Sequence, residues 1–200
     1  MRQRNLKWAK DFLATTPLLV KEFPHEFKEP IEIEIGCGKG DFIKDKAKLN
    51  PDVNFFGIDV QGSCLAIAIK KATEEGLNNV SYALLNAEKL GEYFKPNTFQ
   101  AIYLNFSDPW PKARHEKRRL TSPRYLEMFY NLLKEGGNIT FKSDNVGLFA
   151  YSCATFKASK FIDVTIEEDY ELTENEPISE YEKKFRALGT KIGRIKAIKK

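Results

Sequence analysis

The sequence predicts an α/β fold, an open and mostly parallel sheet with helices on both faces. Three observations carry that prediction. From residue 31 onward, short apolar runs of strand character alternate with stretches of helical periodicity, the pattern of repeated strand–helix–strand units. The first of these strands ends in a glycine cluster, Gly36, Gly38 and Gly40, and the second closes on an acid, Asp59. At 200 residues and 42% hydrophobic content the chain suits one domain over 1–200, burying roughly 70% of its unfolded surface.

Taken in order, 5–14 predicts a short basic helix and 17–30, with Pro24 and Pro30, a connecting arm. The segment 1–30 therefore stands ahead of a core over 31–200. A strand over 31–35 leads into a helix over 41–49, stopped by Asn50-Pro51, and then a strand over 54–58. The helix over 63–75 carries Leu65, Ile67, Ala68 and Ala72 at roughly helical spacing and is closed by Gly76. A strand over 80–85, a short helix over 88–94 and an apolar strand over 100–104 follow. Thr121 or Ser122 is expected to cap a helix reaching 133, with Pro123 in its first turn and Gly136-Gly137 as its stop. Next come a strand over 138–141, a helix over 146–158 and a strand over 161–167. The interval 163–182 holds nine acids and no Lys or Arg, with Glu176-Pro177 inside it, and reads as a solvated loop or hairpin connection. A helix over 179–188 and a strand over 192–198 close the chain.

Composition excludes several classes. Cys37, Cys64 and Cys153 are odd in number, widely spaced and without a C-x-x-C pair, against a disulfide framework or a zinc site, so no metal is expected. The basic start lacks the apolar stretch of a signal peptide, and no uncharged apolar run approaches the roughly 18 residues of a membrane span. A soluble cytoplasmic protein with no membrane partner is expected. Monomer and homodimer both remain open.

Two stretches carry chemistry. Glu34-Ile35-Gly36-Cys37-Gly38-Lys39-Gly40 joins the first strand to the first core helix, and its glycines let backbone approach a ligand closely. Asp59, at the end of the second strand, is placed to accept both hydrogen bonds of a ribose diol. A dinucleotide and S-adenosyl-L-methionine compete for such a pocket, alongside a tight turn with no ligand. Glu34 and Asp41 would be awkward beside a pyrophosphate, whereas a carboxylate suits a sulfonium and an amino group, which favours the methyl donor. Asn86, after the third strand, either reads adenine through its amide or caps the following helix.

The second stretch is Asn105-Phe106-Ser107-Asp108-Pro109-Trp110-Pro111-Lys112, followed by Ala113-Arg114-His115-Glu116-Lys117-Arg118-Arg119. It follows a strand end, where ligands of α/β sheets bind. Lys112 to Arg119 holds five basic residues against one Glu, a net charge equal to the +4 of the whole chain, so the positive excess is local. That concentration points to a polyanion, with Lys112 on phosphate, with Arg114, Lys117, Arg118 and Arg119 on phosphates in preference to a merely solvated face, and with Arg2, Arg4 and Lys7 either extending the surface or belonging to a disordered terminus. Trp110 either stacks on a base or packs as a hydrophobic plug.

With these motifs in order, and with Phe141-Lys142-Ser143-Asp144-Asn145 and Glu180-Tyr181-Glu182-Lys183-Lys184-Phe185 beyond them, the chain resembles the bacterial tRNA (guanine-N7-)-methyltransferases over essentially its full length. The resemblance implies a Rossmann-like class I fold of seven strands, the last antiparallel, acting on guanosine 46 of the tRNA variable loop with S-adenosyl-L-methionine as donor. Carried across by motif, Glu34, Asp59, Asn86 and Asp108 match donor-binding positions, and Asp108 also the catalytic one. Lys112, Asp144, Ser179, Glu180, Tyr181 and Glu182 match substrate-binding positions. Asn86 stands where Asp is common, Ser179 where Thr is common, and Ala113 where a second Lys is frequent. Rival readings are an RNA-binding protein without chemistry, which would not need Glu34 and Asp59 together, a nicotinamide-dependent oxidoreductase, and a methyltransferase acting on protein or a small molecule.

Overall fold

The computed structural model describes residues 6–200, so Arg2 and Arg4 lie outside the described residues. Seven strands form a mostly parallel sheet in the order β3-β2-β1-β4-β5-β7-β6. They are β1 Ile31–Ile35, β2 Asn54–Asp59, β3 Val80–Leu84, β4 Phe99–Asn105, β5 Leu133–Ser143, β6 Ile162–Glu167 and β7 Gly193–Ile198. The helices are α1 Ala9–Thr15, α2 Asp41–Leu49, α3 Gly62–Glu74, α4 Leu90–Tyr93, α5 Pro123–Leu132, α6 Val146–Lys157 and α7 Glu180–Ala187. The chain divides into two compact units, the first running to Phe94 and taking in Pro177–Glu180, the second holding Lys95–Glu176 and Tyr181–Lys200.

In the first unit β1, β2 and β3 are parallel neighbours, with Ile33 beside Phe56 and Gly57 beside Tyr82. Parallel strands covered on both faces read as continuous apolar runs. β2 obeys, since Phe55, Phe56 and Ile58 are all buried. β1 alternates Ile with Glu, and yet Glu34 is only 2% exposed. A carboxylate in such a place costs stability unless its surroundings compensate, so packing alone does not account for it. Gly40 begins α2 at φ 75°, and a Cβ there would lie 2.6 Å from that of Ala68, so glycine is what lets α2 start against α3.

The arm over 17–30 is packed against the unit. Val20 N donates to Tyr82 O and Tyr82 N to Leu18 O, both at 2.8 Å, which covers the outer edge of β3 with a short parallel bridge. Phe23 then stacks on Tyr93 and Phe27 leans on Phe56, each with ring centroids 4.8 Å apart. The short helix expected over 88–94 is a 3-10 turn, Ala87–Lys89, followed by the single turn of α4.

In the second unit β4 and β5 are parallel, while β7 lies antiparallel to both β5 and β6. Gly136 and Gly137 do not stop α5. The helix ends at Leu132, and β5 begins at once and bulges through the glycine pair, between the Phe99–Leu133 and Ala101–Asn138 partners. Gly136 has φ 70°, and a Cβ on Gly137 would come within 2.9 Å of two backbone oxygens. Ser122 occupies the cap position of α5 without a side-chain cap bond, Pro123 supplies the first turn as expected, and Thr121 Oγ1 instead meets Ser152 Oγ of α6 at 2.7 Å.

Candidate active site

Strand register brings the glycine loop to Asp59. Ile35 pairs with Ile58, whose carbonyl accepts from both Gly36 N at 2.8 Å and Cys37 N at 2.9 Å. Gly38 N donates to Asp59 Oδ2 at 2.9 Å, Gln61 N to Asp59 Oδ1 at 2.7 Å, and Gly40 N to Cys37 O. The amides of Gly36, Cys37, Gly38 and Gly40 are thus committed within the loop, unlike the outward-facing amides that cradle phosphate. Both Asp59 oxygens thus accept from backbone amides of the loop and of the start of α3. Asp41 spends its charge on Lys71, with both oxygens 2.8 Å from Nζ.

The field in this loop is negative. Burial, then the charges of Glu34 and Asp59, push the Cys37 thiol well above its ordinary value. Burial also raises the Tyr82 hydroxyl, with Cys37 and Glu34 adding to it, and burial followed by Asp59 takes Cys64 to about 11. Such a site favours a cationic ligand. Asn86 Oδ1 accepts from Glu88 N at 3.0 Å, so the capping alternative is realised, on an exposed side chain. Glu180, 141 residues along the chain from Lys39, reaches the same loop: Lys39 Nζ donates to its Oε1 at 2.8 Å and is raised chiefly by that bond. No spacing rule links those two residues in sequence.

In the second unit, β4 runs out at Asn105 into the turn that carries Asp108. Phe106 (φ 54°) and Trp110 (φ 40°) are held in left-handed conformations that cost non-glycine residues about 1–3 kcal/mol each. Between them Asp108 is exposed, and among the described residues none donates a hydrogen bond to its carboxylate. Trp110 is half-buried and packs within the protein, with the Arg118 guanidinium 4.8 Å from its ring and His115 edge-on at 5.6 Å. The basic stretch folds as a 3-10 turn, Ala113–Arg118, and divides its charges. Lys112, Arg114 and Lys117 are exposed, whereas Arg119 is half-buried and donates to the carbonyls of Pro109 and Trp110.

At the end of β5, Ser143 Oγ accepts from Asn145 N at 3.1 Å and Asn145 Oδ1 caps α6 through Leu148 N at 2.8 Å, leaving Asp144 partly exposed in the turn between strand and helix. Tyr181, on α7, is 48% exposed, and its ring stacks on Phe185, which stacks in turn on Phe106. Glu182, matched by motif to a substrate-binding position, has no exposure. Its Oε2 takes Lys142 Nζ at 3.3 Å and its Oε1 takes Arg186 Nε at 3.1 Å. Lys142 also donates to Tyr170 Oη at 2.7 Å and Glu176 Oε1 at 3.1 Å, and Arg194 binds Glu167 through two nitrogens and reaches Glu176. Lys142, Arg186 and Arg194 enclose the Tyr170 ring at 4.5, 4.4 and 4.2 Å. Acids of the interval 163–182 are therefore partly consumed inside the fold.

A family model described as "Putative methyltransferase" matches residues 28–195. The tRNA (guanine-N(7)-)-methyltransferase of Lactococcus lactis subsp. cremoris is 42% identical over 211 residues, covering 98% of this chain and 97% of that relative. Its counterpart in Geobacillus kaustophilus is 42% identical over 212 residues, covering 100% of this chain and 97% of its own. The chain belongs to the tRNA (guanine-N7)-methyltransferase family. For the fold, a SAM-dependent O-methyltransferase of Thermotoga maritima superposes with a TM-score of 0.61 at 16% identity, over 99% of this chain and 67% of that one.

As a tRNA (guanine-N7)-methyltransferase family member the chain has a Rossmann-like class I sheet, with β7 antiparallel as the resemblance implied. Sequence motifs located the glycine loop, Asp59, Asp108 and the basic turn. They missed the Lys142 network, whose members are scattered from 142 to 194 and whose signal was one lysine standing inside an apolar strand.

Proposed function

We propose that the protein transfers a methyl group from S-adenosyl-L-methionine to N7 of guanosine 46 in the variable loop of tRNA, in the cytoplasm. One observation carries the assignment of the reacting centre: an exposed carboxylate, Asp108, stands in a turn strained on both sides and is followed directly by the exposed bases Lys112, Arg114 and Lys117. The full-length likeness to curated relatives supports the reaction and its substrate.

When bound, S-adenosyl-L-methionine supplies an electrophilic methyl group on a sulfonium. Asp59 would accept the ribose hydroxyls, Gly36, Gly38 and Gly40 would admit the donor close to backbone, Glu34 would supply negative charge for its cationic groups, and Asn86, whose Oδ1 caps the following turn, would offer its amide NH2 to the adenine. Guanine N7 has a lone pair and no proton, so no general base is required. Transfer to N7 would form the N7–carbon bond as the donor's carbon–sulfur bond breaks, leaving that electron pair on sulfur and the positive charge on the base. Asp108 stabilises that charge as it moves and helps hold N7 in line, a placement worth roughly 7–11 kcal/mol in well-oriented pairs. Asp144, Ser179, Glu180 and Tyr181 bind guanosine polar groups and its ring face, Lys112 and Arg114 bind phosphate, and Glu182 anchors α7 through Lys142 of β5.

The test is incubation of the purified protein with S-adenosyl-L-methionine and an unmodified tRNA transcript, followed by nuclease digestion and mass spectrometry. The expected product is 7-methylguanosine, absent when the transcript carries A at position 46. Methyl transfer to other RNA, protein or small molecules alone would overturn the reading.

A further inference from the structure

We propose that Arg119 is a positioning residue that grips the Asp108 turn from within the protein and does not serve as a phosphate ligand. The proposal rests on the reading of Asp108 as the residue at the reacting centre. Three donated bonds define the grip: Arg119 Nε to Pro109 O at 3.2 Å and to Trp110 O at 3.3 Å, and Nη2 to Trp110 O at 3.1 Å. The carbonyls belong to the two residues that follow Asp108. Trp110 is one of the two residues in this turn held at positive φ, so the fork closes on the point where the backbone would otherwise relax.

The guanidinium is itself fixed from its other side. Its centre lies 4.3 Å from the Tyr151 ring, and Tyr151 Oη donates to Glu116 Oε1 at 2.8 Å. Burial and that bond to Glu116 raise the tyrosine to about 12, so it remains a neutral donor throughout the working range. Glu116 belongs to the same 3-10 turn as Arg118, and its carbonyl accepts from Arg119 N at 2.9 Å. Trp110, Arg119, Tyr151 and Glu116 thus form a closed circuit: strand-end turn, guanidinium, ring of α6, basic turn, and back along the chain to Arg119. Arginine is demanded by the geometry, because a planar fork can serve adjacent carbonyls while its face lies on a ring, and a lysine ammonium cannot. Among the described residues the exposed Lys112, Arg114 and Lys117 have no comparable partners, so the stretch separates into these outward-facing charges, Arg118 over the Trp110 ring, and the inward clamp of Arg119.

The experiment compares Arg119→Lys and Arg119→Met with Lys112→Ala in the full chain, using S-adenosyl-L-methionine and a tRNA transcript. It measures kcat, the salt dependence of tRNA binding, and Trp110 emission in a Trp8→Phe background. A clamp predicts that both Arg119 variants lose about 100-fold in kcat, the scale of a small misplacement at a reacting centre, and change Trp110 emission. Their salt slope stays at the wild-type value, while Lys112→Ala lowers it by about 1. The charge-conserving lysine variant should be impaired much as the methionine variant is; it also serves if the latter fails to fold. Retained kcat in Arg119→Lys, with weaker tRNA binding and a salt slope reduced by about 1 in Arg119→Met, would overturn the proposal in favour of a phosphate contact. Asp108→Asn is assayed in parallel. Full turnover there, with turnover lost and emission shifted in Arg119→Lys, would sink the reading of Asp108 and leave the grip on the turn standing.

Discussion

Lys142 Nζ and Glu182 Oε2 lie 3.3 Å apart with side chains only 2% and 0% exposed, a charge pair removed from water at the join of β5 and α7. Desolvating two charges costs several kcal/mol per ion, and the cost is met here by further bonds to Tyr170, Glu176 and Arg186.

Removing one partner leaves the other charge buried alone. Lys142→Met is expected to lower unfolding free energy by about 3–5 kcal/mol, read from urea midpoints. The double variant Lys142→Met/Glu182→Gln should lose clearly less than the two single losses together. Simple additivity would refute a coupled pair.

The same network sets an acid limit. Arg194's hydrogen bonds hold Glu167 below its ordinary 4.5, and Glu176, though burial pushes it up, is brought below 4.5 by the charge and hydrogen bond of Lys142. Folded values below unfolded ones mean stability that is present above the unfolded value and lost as pH falls through the folded one. Melting temperature should therefore drop as pH falls below about 4.5, and Glu176→Gln should flatten that drop. An unchanged slope in the variant would count against this origin.

The cysteines in and beside the glycine loop should be chemically quiet. With Cys64 raised to about 11 and Cys37 raised as well, only about one Cys64 thiol in a thousand is ionised at a pH of about 8. Alkylation by iodoacetamide, followed by peptide mass spectrometry, is expected to be slow at both sites and to rise about tenfold per pH unit at Cys64. Rapid labelling of either cysteine near neutrality would contradict the negative field of Glu34 and Asp59.

Asp108→Asn removes the charge and keeps the shape of a side chain that no described residue holds. Turnover to 7-methylguanosine should fall at least about 100-fold while the melting temperature moves by less than about 4 °C. Matched losses of activity and stability would instead mark a structural aspartate.

Lys112→Ala and Arg114→Ala should each reduce the slope of log affinity for tRNA against log salt by about 1. Binding measured across a salt series decides this. An unaltered slope for both would leave the exposed face of the basic turn as mere solvation.

Local patterns were enough to place nearly every element. β1, α2 and β2 are bounded in sequence by Gly36, Asn50-Pro51 and a short apolar run, and the folded elements end within a residue of those marks. Gly136-Gly137 misled, because a glycine pair after a helical stretch signals a stop equally whether a loop or a bulged strand follows, and only the pairing of β5 with β4 and β7 distinguishes the two. Ser122 stands at the head of α5 as its sequence position suggests but makes no side-chain cap bond, while the hydroxyl of the neighbouring Thr121 meets Ser152 Oγ of α6, a partner no local pattern signals.

By itself the sequence determined the strand–helix alternation, the glycine loop with Asp59 at its side, and the Asp108 turn with its concentrated charge. Short-range periodicity, backbone freedom and local charge govern all of these. Tertiary structure alone decided which charges face outward: that Arg119 turns in upon Trp110, that Glu180 reaches Lys39, and that Glu182 and Glu176 are spent on Lys142. The physical reason is that the free energy of a charge depends on its solvent exposure and on partners within a few ångströms, and those partners lie from 9 to 141 residues away along the chain.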